Sequence, residues 1–214
     1  MANHSFNDLK DKVCVITGGA GVIGSAMTRV LAAAGVKVVI LDLREEVAEK
    51  LTAELSAEYG TENLGLGANV LDKDNLIKAK EIILNKFNGI DILVNGAGGN
   101  SPEATTKLEE LTDETKYSLE DGFFGLKLEG FRKVFDLNFI GTLLPTMVFA
   151  EEMVKKGKGS IVNISSMNSY KPLTKIPAYS AAKSAINNFT EWLAVHFAKT
   201  GVRVNAIAPG FFLT

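Results

Sequence analysis

Thr17-Gly18-Gly19-Ala20-Gly21-Val22-Ile23-Gly24 follows an apolar run from Lys12 and opens directly onto a helical pattern over 22–34. Glycine permits positive φ and close backbone approach, and a helix start offers free N–H groups and a positive dipole end to an anion. Gly19, Gly21 and Gly24 spell GxGxxG, but the chain holds 20 glycines, so the letters alone carry little. Their place between a strand and a helix gives them weight. A phosphate-bearing ligand is expected on this turn.

On the far side of the turn, short β-branched runs alternate with longer helical patterns. Strands are expected at Lys12 to Thr17, Val36 to Leu41, Leu64 to Asn69, Ile90 to Asn95, Ser160 to Ser165 and Val202 to Ile207. Most are apolar at successive positions, as strands covered on both faces should be. Helices are expected over 22–34, 45–59, 72–88, 130–156 and 178–199. Right-handed crossovers then predict an α/β fold, a doubly wound parallel sheet of Rossmann type with strand order 3-2-1-4-5-6, and ligands at the carboxyl ends of the strands.

No linker or repeat divides the chain, so 1–214 is expected to be a single dinucleotide-binding and catalytic domain. The irregular stretch Gly99 to Gly130, with its Phe123-Phe124 pair, either packs over the site or loops into solvent. Gly141 and Pro145 predict a kink in the long helix just beyond Asn138.

The net charge of −2 and scattered basic residues argue against nucleic acid as a partner. No membrane span is expected, since no apolar run approaches the roughly 18 residues one needs. Met1 to Lys10 does not read as a signal peptide, so a cytoplasmic location is expected. Cys14 lies in an apolar run and reads as a buried hydrophobe. His4 and His196 stand apart from any Cys or acid cluster, so no metal is expected.

Asp42 ends the second strand, 18 positions after Gly24. An acid there accepts from the adenosine ribose hydroxyls and repels a 2′-phosphate, which favours NAD over NADP despite Arg44 nearby. The same residue could instead cap the following helix. Asn69-Val70 and Asn95-Gly96-Ala97-Gly98-Gly99 end the third and fourth strands and face the same cleft. Tyr179 has Lys183 four positions later, on one face of a helix opened by Pro177. A phenol titrates near 10 in water; a proton donor at neutral pH needs its phenolate favoured by roughly 4 kcal/mol, which a neighbouring ammonium can supply. Ser166, at the end of strand five, can donate a second hydrogen bond to oxygen as it gains charge.

These elements together resemble the short-chain dehydrogenase/reductase family over essentially the whole chain. The match rests on the glycine turn at Thr17 to Gly24, Asp42, the NxAG stretch Asn95 to Gly98, Asn138, Ser166, the Tyr179 and Lys183 pair 13 residues on, and Pro209-Gly210. The resemblance implies Ser166, Tyr179, Lys183 and Asn138 as catalytic residues, with Asn138 holding a water that links Lys183 to solvent. It implies cofactor contacts from Gly18, Gly19, Gly21, Val22, Ile23, Gly24, Asp42, Asn69, Val70, Asn95, Ala97, Gly98, Tyr179, Lys183, Pro209, Gly210 and Thr214. It also implies a homodimer or homotetramer paired through the two long helices.

Val22 departs from the family by replacing the middle glycine of the turn, and Asn69 by replacing an aspartate. Family members continue past Thr214, so a chain ending there is expected to lack their last strand. Gly98 to Pro102, Phe135 to Phe139, Ser165 to Asn168 and Pro209 to Thr214 resemble the D-mannonate oxidoreductase (fructuronate reductase) branch, which implies a sugar-acid carbonyl substrate. Asn100, Asn168 and Lys175 are then candidate substrate contacts, with Lys175 for the carboxylate, although each lysine could equally be a solvated surface charge. Gluconate 5-dehydrogenase activity, 3-oxoacyl carrier protein reductase activity and a non-catalytic dinucleotide sensor are the alternatives.

Overall fold

A computed structural model describes residues 6–211. Six parallel strands, β1 (Val13–Thr17), β2 (Lys37–Asp42), β3 (Leu64–Gly67), β4 (Ile92–Asn95), β5 (Gly159–Ile164) and β6 (Val202–Ile207), form one sheet in the order 3-2-1-4-5-6. The expected topology is therefore the observed one. Alternation along β1 divides the core into two layers: Cys14 and Ile16 pack with α1 (Val22–Ala33) and α2 (Glu45–Tyr59), while Val13 and Val15 face the opposite side. That side is covered by α3 (Lys73–Phe87), α5 (Gly141–Lys156) and α6 (Pro177–His196). Burial raises the Cys14 thiol to about 12, consistent with an inert core residue. β3 stops two residues earlier than expected, because Asn69 leaves the ladder to bend the chain, its Oδ1 accepting from the Leu71 N–H at 3.0 Å.

The long helix runs from α4 (Leu128–Phe135) through a π turn at Asp136–Ile140 into α5. The Asn138 amide donates to the Val134 carbonyl at 2.7 Å, in the place of a helix ladder bond. The distortion is thus a π turn with a side chain bonded into its own helix backbone, and it ends at Ile140, just before Gly141, whose carbonyl meets the missing N–H of Pro145. Contrary to the sequence reading, Leu128–Lys156 is long and apolar enough to cross a membrane by length and composition. Half of its apolar window is buried inside the fold, with Val148, Phe149 and Met153 in the core beside the sheet. The irregular stretch divides in two: Ala104 is fully buried, whereas Phe123 and Phe124 are 65% and 68% exposed and face away from the core.

Candidate functional site

The carboxyl ends of β1 and β4 meet at Thr17, whose buried hydroxyl accepts from the N–H groups of Gly96 and Ala97 at 3.1 and 3.2 Å. Gly18 has φ +64°, and a Cβ there would lie 2.9 Å from the Ala97 Cα. At Gly24 a Cβ would lie 2.1 Å from the Gly18 carbonyl oxygen, so α1 begins in direct contact with the strand exit. The α1 N-cap, Gly21, contributes no side-chain cap, leaving the N–H groups of the first turn directed at the cleft.

That cleft, about 530 Å³, is bordered by Gly18, Gly21, Val22, Ile23 and Gly24 on one side and Asp42, Asn69, Val70, Ala97 and Gly98 on the other. It has the size of a small-molecule site and the cradle a pyrophosphate needs. Asp42 does not cap α2, which begins at Glu45 after Arg44 with no side-chain cap. Its carboxylate borders the cleft, and among the described residues Oδ1 accepts only from the Arg44 N–H, at 3.3 Å.

An adjoining chamber of about 170 Å³ shares Ile23, Gly24, Gly96 and Gly98 with the cleft and is closed by Ser166, Tyr179, Lys183, Pro209 and Gly210. Lys183 is 4% exposed and donates to the Ile164 carbonyl at 2.7 Å; its Nζ stands 5.5 Å from the Tyr179 ring centre. Burial lowers this lysine to about 8. Ser166 accepts from the Asn168 N–H at 3.2 Å, which leaves its hydroxyl proton free to donate into the chamber.

Several sequence expectations land elsewhere. Gly19 backs onto Ile16, where a Cβ would lie 2.7 Å from the Ile16 side chain, so it serves packing. Asn95 is buried in an internal ladder, donating to Thr146 Oγ1 at 2.9 Å and Asn163 Oδ1 at 2.8 Å, and does not line the cleft. Asn138 is fully buried behind Gly98 and Gly99, its amide bonded to the Gly99 carbonyl at 2.7 Å. Asn100 donates to Thr105 at 3.0 Å within its own loop. Lys175 borders a separate cavity beside Leu173 and pairs with Glu109 at 3.7 Å, so the structure does not bring it to Tyr179's chamber. Asn168 is buried next to Ser166, with its Oδ1 unpartnered. Thr214 and His4 lie outside the described residues.

Sequence reasoning missed the clamp that fixes Ser166. Ser165 donates to Asn187 at 2.6 Å, Asn187 donates to Ser169 at 2.8 Å, and Ser169 donates to the Ser166 carbonyl at 2.6 Å. Asn187 follows Lys183 by four positions, and that helical stripe was the available signal.

The linkage of Lys183 to stability has a definite sign. An unfolded lysine titrates near 10.4, and in the fold this one titrates at about 8. Between those values the unfolded chain holds the extra proton, so this contribution to stability rises with pH through the window. Below it, the buried ammonium costs about 3 kcal/mol. Cys14 acts oppositely at alkaline pH, because its raised thiol keeps a proton the unfolded chain loses. The expected result therefore concerns a difference: urea unfolding of Lys183→Met, compared with the unsubstituted chain, should lack the rise between about pH 8 and 10.

The short chain dehydrogenase family model matches residues 12–214. An uncharacterized oxidoreductase of Bacillus subtilis (strain 168), UxuB, is 50% identical over 97% of this chain and 73% of that protein. A NAD-bound crystal structure from Haemophilus influenza, provisionally named a D-mannonate oxidoreductase, is 46% identical with a TM-score of 0.88, covering 96% of this chain and 73% of that one. NAD+-bound xylitol dehydrogenase is 29% identical with a TM-score of 0.84, covering 96% of this chain and 72% of that one. Fold, glycine cradle and sequence agree: the chain belongs to the short-chain dehydrogenase family of oxidoreductases.

Proposed function

We propose that the chain is an NAD(H)-dependent oxidoreductase that reduces a keto sugar acid, D-fructuronate, reversibly to D-mannonate. The observation that carries the reading is the joining of Ser166, Tyr179 and Lys183 in a chamber continuous with the glycine-lined cleft. NADH, when bound, supplies the hydride to the carbonyl carbon. Tyr179 donates its phenolic proton to the carbonyl oxygen, and Ser166 donates a hydrogen bond to that oxygen as its charge grows. The Lys183 ammonium stabilises the phenolate left behind, and its pKa of about 8 lets it give and regain a proton near neutral pH. Asn138 holds Gly99 and so keeps the floor of the chamber in place. The NAD-bound relative supports the cofactor, and its provisional name supports the substrate.

Of the three candidate substrate residues, Asn168 is the one bonded to Ser166, through its backbone N–H, but its side chain is buried and does not line the chamber. A small soluble carbonyl compound is the partner the site fits, and a cytoplasmic setting suits it. NADH oxidation with D-fructuronate, set against 5-ketogluconate and a 3-oxoacyl thioester, tests the assignment. Faster turnover of either competitor overturns it. Asp42→Ser is expected to move the NADH to NADPH preference in kcat/KM toward NADPH by roughly 10–100-fold, because the change removes the cleft-lining carboxylate that would repel a 2′-phosphate.

A further inference from the structure

Between β4 and α4 lies a short turn, Pro102–Ala104, that no part of the proton chemistry uses. It is fastened on one side to α4. Gly130 leaves no room for a side chain there, since a Cβ would lie 2.7 Å from the Glu103 carbonyl carbon. The Glu103 carboxylate pairs with Lys133 at 2.9 Å, and its carbonyl accepts from the Lys127 N–H at 3.2 Å. On the other side the turn meets the start of α6. Ala104, 0% exposed, forms a closed cluster with Val134 and Ala178, and Phe131 and Tyr179 pack against it.

The segment leading into α6 is held by the same loop. Lys175 has φ +71°, a left-handed conformation unfavourable for a side-chain-bearing residue. Its carbonyl accepts from the Thr106 N–H at 2.9 Å, two residues beyond Ala104. The turn therefore meets α6 at Ala178 and Tyr179 through the Ala104 cluster, while Thr106, just beyond the turn, holds Lys175 two residues before the helix begins.

We propose that the Pro102–Ala104 turn is a wedge between α4 and α6 that positions Tyr179, with Ala104 as the positioning residue. The inference rests on Tyr179 as the proton donor. A methylene added at Ala104, which is fully buried between Val134 and Ala178, is expected to shift the entry of α6, because α4 is already closed against Glu103. None of Ala104, Val134, Ala178 and Tyr179 lines the glycine cleft, which should therefore not respond.

The test compares Ala104→Val, Ala104→Leu, Tyr179→Phe and a remote core variant, Ile83→Val, in fructuronate reduction, NADH fluorescence titration and thermal unfolding. The expected result is a graded fall in kcat, roughly 3–10-fold for Val and roughly 10–100-fold for Leu, since small misplacements of a reacting group cost that much. NADH affinity should stay within about 2-fold, and Ile83→Val should keep kcat. Should the leucine variant fail to fold, the valine variant decides. Full kcat in Ala104→Val together with an inactive Tyr179→Phe overturns the wedge alone. Undiminished turnover in Tyr179→Phe overturns the proton assignment beneath it. A fall in kcat that merely follows lost NADH binding also overturns the wedge.

Discussion

Tyr179→Phe is expected to lower carbonyl turnover by roughly 10²–10⁴-fold, the usual range for a positioned proton donor. The substitution keeps the ring that packs against Ala104, Val134 and Ala178, and removes only the hydroxyl. NADH affinity and thermal stability should therefore hold to within about 2-fold and about 1 kcal/mol. Stopped turnover with intact NADH binding assigns the loss to proton transfer, read from NADH absorbance with fluorescence titration alongside. Ser166→Ala should fall less, because one hydrogen-bond donor to the developing oxyanion is worth about 3–4 kcal/mol at most. The double variant should fall by less than the product of the two, since both groups act on one oxygen. Strict multiplication of the two effects would contradict a shared target.

How much of this was legible beforehand follows from the kind of interaction involved. Strand order could be read because each strand is a short apolar run next to a helix of regular period, and crossover handedness leaves few topologies. Tyr179 and Lys183 could be read because helix geometry fixes which residues share a face. The end of β3, the π turn at Asn138 and the place of Asn95 could not, because each depends on one side chain choosing among acceptors that the fold brings near. Asn95 illustrates the limit: its letter pattern belongs to a cofactor stretch, yet its amide closes a ladder through Thr146 and Asn163, from residues 51 and 68 positions away. Lys175 failed for another reason, since a left-handed backbone and an exposed acid, Glu109, set its direction.

Gly24→Ala is expected to weaken NADH binding by roughly 100-fold or more and to destabilise the fold by about 1–3 kcal/mol, the usual effect of overpacking a tight site. The added Cβ would lie 2.1 Å from the Gly18 carbonyl oxygen and 2.9 Å from the Gly19 Cα, both backbone, so no rotamer relieves it. Either the helix start or the strand exit must move, and both form the cradle. The contrast is Val22, which stands where the family has a glycine but is 69% exposed at the cleft rim. Val22→Gly should cost about 0.5–1 kcal/mol through backbone freedom and leave NADH affinity nearly unchanged. If Val22→Gly tightened binding by 10-fold or more, the side chain would be obstructing the phosphates. If Gly24→Ala kept NADH affinity, the phosphates would not lie on this turn. Isothermal titration and urea unfolding of both variants separate the two glycine roles, because one position lacks space for a side chain while the other already accommodates valine.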